Sequence, residues 1–267
     1  ECTLVDGKDL EQWKKAIRPE TKVLFLESPT NPTLEVVDIQ AVADVAHENN
    51  ARLVVDNVFA TPLYQRPMEL GADVVAYSAT KHIDGQGRCL GGVILGSEEW
   101  VKEELFDFFR HTGPSMSPFN AWTLLKGLET LSIRVEKQTS SAEAITNYLE
   151  GKKGITKLIY PGHPSHPQAE LARRQMEKGS TMIAFELEGG KENAFKLLNE
   201  LDVISISNNL GDAKSLITHP STTTHRNLSK EDQAEVGITD GMLRLSVGLE
   251  HIDDLLEDIE KALSRTF

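Results

Sequence analysis

Two short apolar runs constrain this chain more than any other feature. Residues 52–57 read RLVVDN and residues 73–81 read DVVAYSATK. A run that is apolar throughout, rather than alternating with polar residues, reads as a strand buried on both faces, as in a parallel sheet. Each run stops abruptly in polar groups. Ligands of open α/β sheets bind just outside the carboxyl ends of the strands, so these polar ends are where chemistry is expected.

Asp56 closes the first run. Ser78, Thr80 and Lys81 close the second, and the glycine-rich stretch GQGRCLGG follows at 85–92. An amine, an isolated carboxylate and two hydroxyls at one sheet edge suit pyridoxal phosphate. A lysine forms a Schiff base with its aldehyde, an aspartate pairs with the protonated ring nitrogen, and hydroxyls reach the phosphate. On the residues alone each group also has a plainer reading. A strand-terminal Asp caps helices and forms turns, and a Lys at a strand end is commonly a solvated charge.

Further motifs follow in order: ESPTNP at 27–32, VVDNVFATP at 54–62, SATK at 78–81, YPGHPSHPQAELARRQM at 160–176, SLITHPSTTTH at 215–225 and LRLSVGLE at 243–250. From about Val5 to the C-terminus the chain resembles the cystathionine γ-synthase-like family of pyridoxal-phosphate enzymes of cysteine and methionine metabolism. Within it, GQGRCLGG resembles the O-succinylhomoserine sulfhydrylase branch, whereas many other relatives instead carry His-Ser-Asp after the glycine.

The resemblance implies an aspartate-aminotransferase-like, fold type I architecture: a large cofactor-binding α/β domain with a mostly parallel sheet, and a smaller α+β C-terminal domain. It implies pyridoxal 5'-phosphate as cofactor, with Lys81 as the Schiff-base lysine, Asp56 at the ring nitrogen, Ser78 and Thr80 at the phosphate and Asn31 at the ring hydroxyl. By the residues alone, Asn31 reads equally well as an Asn-Pro turn. Arg244 sits inside an apolar strand, where an arginine is either a ligand clamp or half of a structural ion pair; the family uses the matching position for the substrate α-carboxylate. Many relatives add a serine in Ser-Leu-Gly, but here the stretch is Asn209-Leu210-Gly211, so Asn209 is the expected second contact.

The implied reaction is γ-replacement on O-succinylhomoserine by sulfide, giving homocysteine in methionine biosynthesis. The alternatives are cystathionine γ-synthase, O-acetylhomoserine sulfhydrylase and methionine γ-lyase. The resemblance also implies an upstream segment with a glycine-containing phosphate loop, a ring-stacking tyrosine and an arm to a neighbouring subunit. None of these motifs occurs in residues 1–267. The expectation is a truncated chain, and an alternative of another class is a catalytically silent fragment. A homotetramer is the implied assembly.

The bulk properties are compatible. The 267 residues are 39% hydrophobic and 26% charged, ordinary for a globular chain. A net charge of −13 repels phosphate backbones and argues against nucleic acid. No apolar stretch has membrane-spanning length and no signal peptide is evident. Two cysteines, Cys2 and Cys89, make no disulfide framework, which fits a reducing cytoplasm. Cys89 reads as a small buried residue. His163, His166, His219 and His225 lie among prolines and threonines with no completing cysteine or carboxylate, so they read as turn and capping residues and not as metal ligands. His82 is expected to turn away from Lys81 and has no chemical role.

Periodicity predicts a helix at 9–17, a strand at 23–26, a helix at 38–49 started by Asp38, and strands at 53–55, 74–77 and 92–95. Alternating strands and helices argue for a parallel sheet covered on both faces. Helical text follows at 98–109 and, after Pro114 and Pro118, at 120–149 with a break near Gly127. A boundary near 150–154 divides domains at 1–150 and 151–267. Beyond it, strands are expected at 155–159, 182–187, 203–207 and 242–247, with helices at 191–201 and 252–264.

Overall fold

The computed structural model describes all 267 residues. Strands β1 (Val23–Glu27), β2 (Arg52–Asp56), β3 (Val74–Ser78) and β4 (Gly92–Gly96) form one sheet in that order. β1, β2 and β3 run parallel, and Glu27 lies level with Asp56, which lies level with Ala76. The carboxyl ends of three strands therefore open on the same side. Between β1 and β2, Asp38 caps the helix Ile39–Glu48 by accepting from Ala41 N, and its apolar face (Ile39, Val42, Ala43, Val45, Ala46) is buried. Leu53, Val55 and Val75 belong to the same core.

The sheet is mostly parallel, as the resemblance implies. β4 pairs antiparallel with β3. Phe25 on β1 and Ile94 and Leu95 on β4 stand open to solvent. A strand's direction depends on how its connection returns, which an apolar run alone does not record. The helical text after β4 continues to Thr112 through a wide turn at Val101–Leu105, and Gly113, at φ +79°, stops it.

The second sheet comprises β5 (Ile155–Ile159), β6 (Met182–Leu187), β7 (Ser205–Ile206), β8 (Leu216–Thr218) and β9 (Met242–Ser246), ordered β5-β6-β9-β8-β7. Only β7 and β8 pair in parallel. β8 lies inside the SLITHPSTTTH motif, and the short helix Ala169–Gln175 inside YPGHPSHPQAELARRQM. Neither was expected, because three residues and seven residues are too short to show a period. β7 is much shorter than the strand expected at 203–207.

The helical text at 120–149 resolves into helices Pro118–Leu128 and Leu131–Leu149, broken beside Gly127 as expected. The residues on either side of position 150 share packing: Ala142, Ile145 and Leu149 enter the core of the second sheet, while Ile159, Met182, Ala184 and Met242 enter the core of the first. No helix is long and apolar enough to cross a membrane.

Gly127 marks the closest approach of the helix Pro118–Leu128 to the segment following Lys81. A Cβ there would stand 2.1 Å from Ile83 O. Gly127→Ala must push backbone from backbone, and we expect a loss of about 1–3 kcal/mol in denaturant unfolding, the usual range for overpacking. A variant as stable as the parent shows that this contact yields freely.

Candidate active site

The site is built at the carboxyl edge of the first sheet, where β9 of the second sheet approaches it. Lys81 is half-buried, and its Nζ donates to Asn209 Oδ1 at 2.5 Å. Burial, and then the charge of Arg244, lower its pKa. Both effects favour the neutral amine, the form that attacks a carbonyl or takes a proton. Asp56 ends β2 with one oxygen accepting from Val58 N at 3.0 Å. Burial raises its pKa, with the Val58 hydrogen bond opposing. Thr80 exchanges hydrogen bonds with the backbone of Gly91, at 3.2 and 3.4 Å. Ser78 is half-buried and makes no side-chain hydrogen bond within the chain.

Arg244 is 1% exposed in the middle of β9. Its Nη1 donates to Asn31 Oδ1 at 2.6 Å, and Nη2 donates to the carbonyls of Asn208 and Asn209 at 2.9 and 3.3 Å. Nε is buried with no partner. Burial lowers its pKa to about 10, with Glu27 opposing, so it stays protonated at neutral pH. Its hydrogen-bond partners are all neutral oxygens, which leaves the cation uncompensated and suited to an anionic ligand.

Asn31 and Asn209 thus meet Arg244 and Lys81 directly. Asn209 offers its carbonyl oxygen to the amine, and Asn31 holds the guanidinium. Six of the seven expected site residues make polar contacts at this edge or across from it, and Ser78 adds a free hydroxyl. His82 turns away as expected and bonds Thr181 Oγ1 at 2.8 Å. Burial, then Arg134 and Lys81, push its pKa down to about 4, so it is neutral. His166 bonds Leu34 O at 3.0 Å and His219 bonds Asp240 O at 2.8 Å, both structural roles. Cys89 is half-exposed and not buried as expected. Burial and Asp84 still raise its pKa, so it lacks the thiolate character of a nucleophile.

Three features of the site escaped the sequence reading. Glu27, beside Asp56, accepts from Asn31 N at 2.8 Å. Burial and Asp56 raise its pKa to about 7, against the Asn31 hydrogen bond and Arg244. At a strand end a glutamate looks like solvent-facing text; only the register reveals its neighbour. His225 borders Arg244 and Asn31, and burial with the Arg244 charge lowers its pKa. Beneath the edge, Asn57 Nδ2 donates to Tyr77 Oη at 2.8 Å and Gln65 O at 2.9 Å, Gln65 Nε2 donates to Ser28 O at 2.7 Å, and Gln175 Nε2 donates to Gln65 Oε1 at 3.1 Å. This buried amide network ties β2 and β3 to the loop after β1 and to the helix Ala169–Gln175.

Residues 1–264 match the model of the Cys/Met metabolism PLP-dependent enzyme family. The chain belongs to this family. Its Cys/Met-family relatives include an O-succinylhomoserine sulfhydrylase of Mycobacterium tuberculosis (strain ATCC 25618 / H37Rv), 53% identical over 99% of this chain and 66% of the relative. Another, from Pseudomonas aeruginosa, is 50% identical over 96% of this chain and 63% of the relative. An L-methionine gamma-lyase of Porphyromonas gingivalis is 43% identical over 98% of this chain and 66% of the relative. The chain therefore spans slightly less than two thirds of the length of these relatives. The structure superposes on cystathionine gamma-lyase from Lactobacillus plantarum, complexed with L-serine, with a TM-score of 0.95 at 36% identity, covering 99% of this chain and 69% of that one. The fold is accordingly the fold type I architecture of these enzymes, and the family cofactor is pyridoxal 5'-phosphate. The edge fits that cofactor: a desolvated amine, a carboxylate with one oxygen unbonded and an uncompensated buried guanidinium are the donor set a cationic ring and an anionic amino acid require.

Glu27 generates a pH prediction. Its folded pKa lies above its unfolded value of about 4.5. Stability from its protonated form is therefore complete below pH 4.5 and is lost as pH rises through about 7. In the ligand-free protein, Glu27→Gln should match the parent at pH 4.5 and exceed it at pH 8 by up to about 3 kcal/mol, since each tenfold change in proton affinity corresponds to about 1.4 kcal/mol. Parallel stability curves for the two proteins from pH 4 to 8 refute the assignment.

Proposed function

We propose that the protein to which this chain belongs catalyses γ-replacement on O-succinylhomoserine by sulfide, forming homocysteine and succinate in methionine biosynthesis. The observation that carries this reading is the identity of 53% and 50% to two sulfhydrylase relatives, in a chain that sets Lys81 and Asp56 at one sheet edge and Arg244 across from them. The GQGR loop points to the same branch.

When bound, pyridoxal phosphate supplies an electron sink conjugated to the substrate α-carbon. Asp56 would hold the proton at the ring nitrogen, and Ser78 and Thr80 would lie toward the phosphate. The protein's own contribution is orientation and proton transfer. Arg244 takes the substrate α-carboxylate, with Asn209 as a second contact, and this fixes the α-carbon against Lys81. Lys81, whose proton affinity is lowered by desolvation and by the Arg244 charge, takes the Cα proton and then shuttles a proton from Cβ. The Cγ–O bond breaks and succinate departs with the bonding pair. Hydrosulfide forms the Cγ–S bond, and Lys81 returns protons to Cβ and Cα. Partial burial keeps its proton from exchanging freely with water.

The lyase relatives define the competing reading, in which methionine is eliminated and not built. The full-length protein should be offered O-succinyl- and O-acetylhomoserine, each with sulfide and with cysteine, and methionine alone. We expect the highest kcat/KM for the succinyl ester with sulfide. Release of a keto acid and a thiol from methionine, without replacement, would overturn the assignment.

Lys81→Ala tests the lysine itself. We expect it to abolish turnover and the visible absorbance of bound cofactor while far-UV dichroism is retained. Parent-like turnover in that variant means another group performs the proton transfers.

A further inference from the structure

The helix Leu131–Leu149 buries an arginine and a glutamine, Arg134 and Gln138, that the reaction does not use. Four residues apart, they share one helix face. Arg134 is 5% exposed. Its Nη1 donates to His82 O at 2.9 Å, Nη2 to Gly127 O at 2.8 Å and Ile83 O at 3.4 Å, and Nε to Thr130 Oγ1 at 3.1 Å. The nearby carboxylate, Asp84, is occupied by Arg88, which binds it through Nε at 2.8 Å and backbone N at 2.5 Å. Arg134 is thus a buried cation spent on neutral oxygens, an arrangement that packing alone does not call for, since an apolar side chain would fill the same space without desolvating a charge.

The carbonyls it grips belong to the residues immediately after Lys81. That segment is a tight turn: Asp84 N donates to Ala79 O at 2.8 Å and Gly85 N to Lys81 O at 2.7 Å. Gly85, at φ +69°, has no Cβ where one would stand 1.9 Å from Arg134 Nη1. The guanidinium therefore occupies the side-chain space of the turn that ends the lysine loop.

Gln138 is fully buried and donates through Nε2 to Asp212 O at 2.7 Å. Asp212 follows Asn209-Leu210-Gly211, the segment whose Asn209 accepts from Lys81 Nζ. The two gripped loops also touch each other. Ala213 N donates to Gly85 O at 2.8 Å, and Gly211 lies so close that a Cβ would stand 2.7 Å from His82 N.

We propose that Arg134 and Gln138 are positioning residues for the cofactor lysine: one helix face holds the turn behind Lys81 and the loop bearing Asn209 in fixed register, and so sets the Lys81–Asn209 contact. The proposal rests on the reading of Lys81 as the cofactor lysine. Because Asn209 Oδ1 accepts from Lys81 Nζ at 2.5 Å, slack in either loop changes both where Nζ sits and the hydrogen bond that bears on its proton.

The test uses the full-length protein and two mild variants. Arg134→Lys keeps the charge but loses the planar fork; Gln138→Met keeps the volume and loses the hydrogen bond. In cofactor-free protein, hydrogen exchange at Gly85 and Ala213 should accelerate by about tenfold or more in both variants, with amides of β6 unchanged, as local opening predicts. In holoenzyme, the pH midpoint of the cofactor's absorbance should shift, and kcat should fall by about tenfold to a hundredfold with KM changed less, the cost of a misplaced catalytic group. Faster exchange with an unshifted midpoint and unchanged kcat overturns the positioning role and leaves a purely structural clamp. Unchanged exchange in both variants overturns the latch itself. If Arg134→Lys does not fold, Gln138→Met carries the same three readouts for the Asn209 loop. Failure of the lysine reading is seen separately, as cofactor absorbance that survives Lys81→Ala.

Discussion

One buried guanidinium organises this site. Arg244 lies in a central strand of the second sheet, reaches the loop after β1 through Asn31 and holds the Asn208–Asn209 carbonyls. Three segments far apart in sequence meet on one side chain. No carboxylate neutralises it directly, so its charge is felt by its neighbours. It lowers the proton affinity of Lys81 and His225 and opposes the upward shift at Glu27. A lysine in its place would supply charge without a planar fork, and the three oxygens that now fix its direction would have fewer donors.

The two carboxyl groups at the sheet edge set the opposite condition. Glu27 and Asp56 are level on adjacent parallel strands. Each is desolvated, and the charge of Asp56 further disfavours that of Glu27. A proton on Glu27 leaves Asp56 as the single formal negative charge of the pair, and Glu27 still fixes the Asn31 loop by accepting its N–H. The division of labour follows from register: a one-residue slip between β1 and β2 would turn one carboxyl to the other face.

Much of this was legible in the sequence because apolar runs ending in polar residues mark buried strands and their open ends. RLVVDN and DVVAYSATK gave β2 and β3 within a residue, and the edge groups with them. Arg244 was conspicuous as a lone charge among LRLSV. What stayed hidden lacked local contrast. Glu27 and Arg134 resemble the surface charges that end strands and line helices, and only tertiary contacts show them desolvated. β8 is three residues long, and the direction of β4 is fixed by its connection and not by its composition. The amide network of Asn57, Gln65 and Gln175 joins residues more than a hundred positions apart, so no spacing announces it.

The roles proposed for Lys81, Asp56 and Arg244 do not by themselves separate the activities named for the relatives. Sulfhydrylases at 53% and 50% identity and a methionine gamma-lyase at 43% are similar to this chain in sequence, and a cystathionine gamma-lyase structure matches it at TM-score 0.95. An amine, a ring-nitrogen carboxylate and a carboxylate clamp serve every reaction that begins by removing the Cα proton. Discrimination must therefore arise where the γ-substituent lies, beyond that shared edge. The stretch GQGR is held from within: Arg88 grips Asp84 through its side chain and backbone, and Asp84 is buried. This arginine thus fixes the shape of its own loop without spending its contacts on the lysine. Arg134 approaches the same turn from the other side, through Gly85 and the carbonyls of His82 and Ile83. Gly85 belongs both to the loop and to the turn behind Lys81, its N–H bonding Lys81 O at 2.7 Å, so a substitution there reaches the lysine as well.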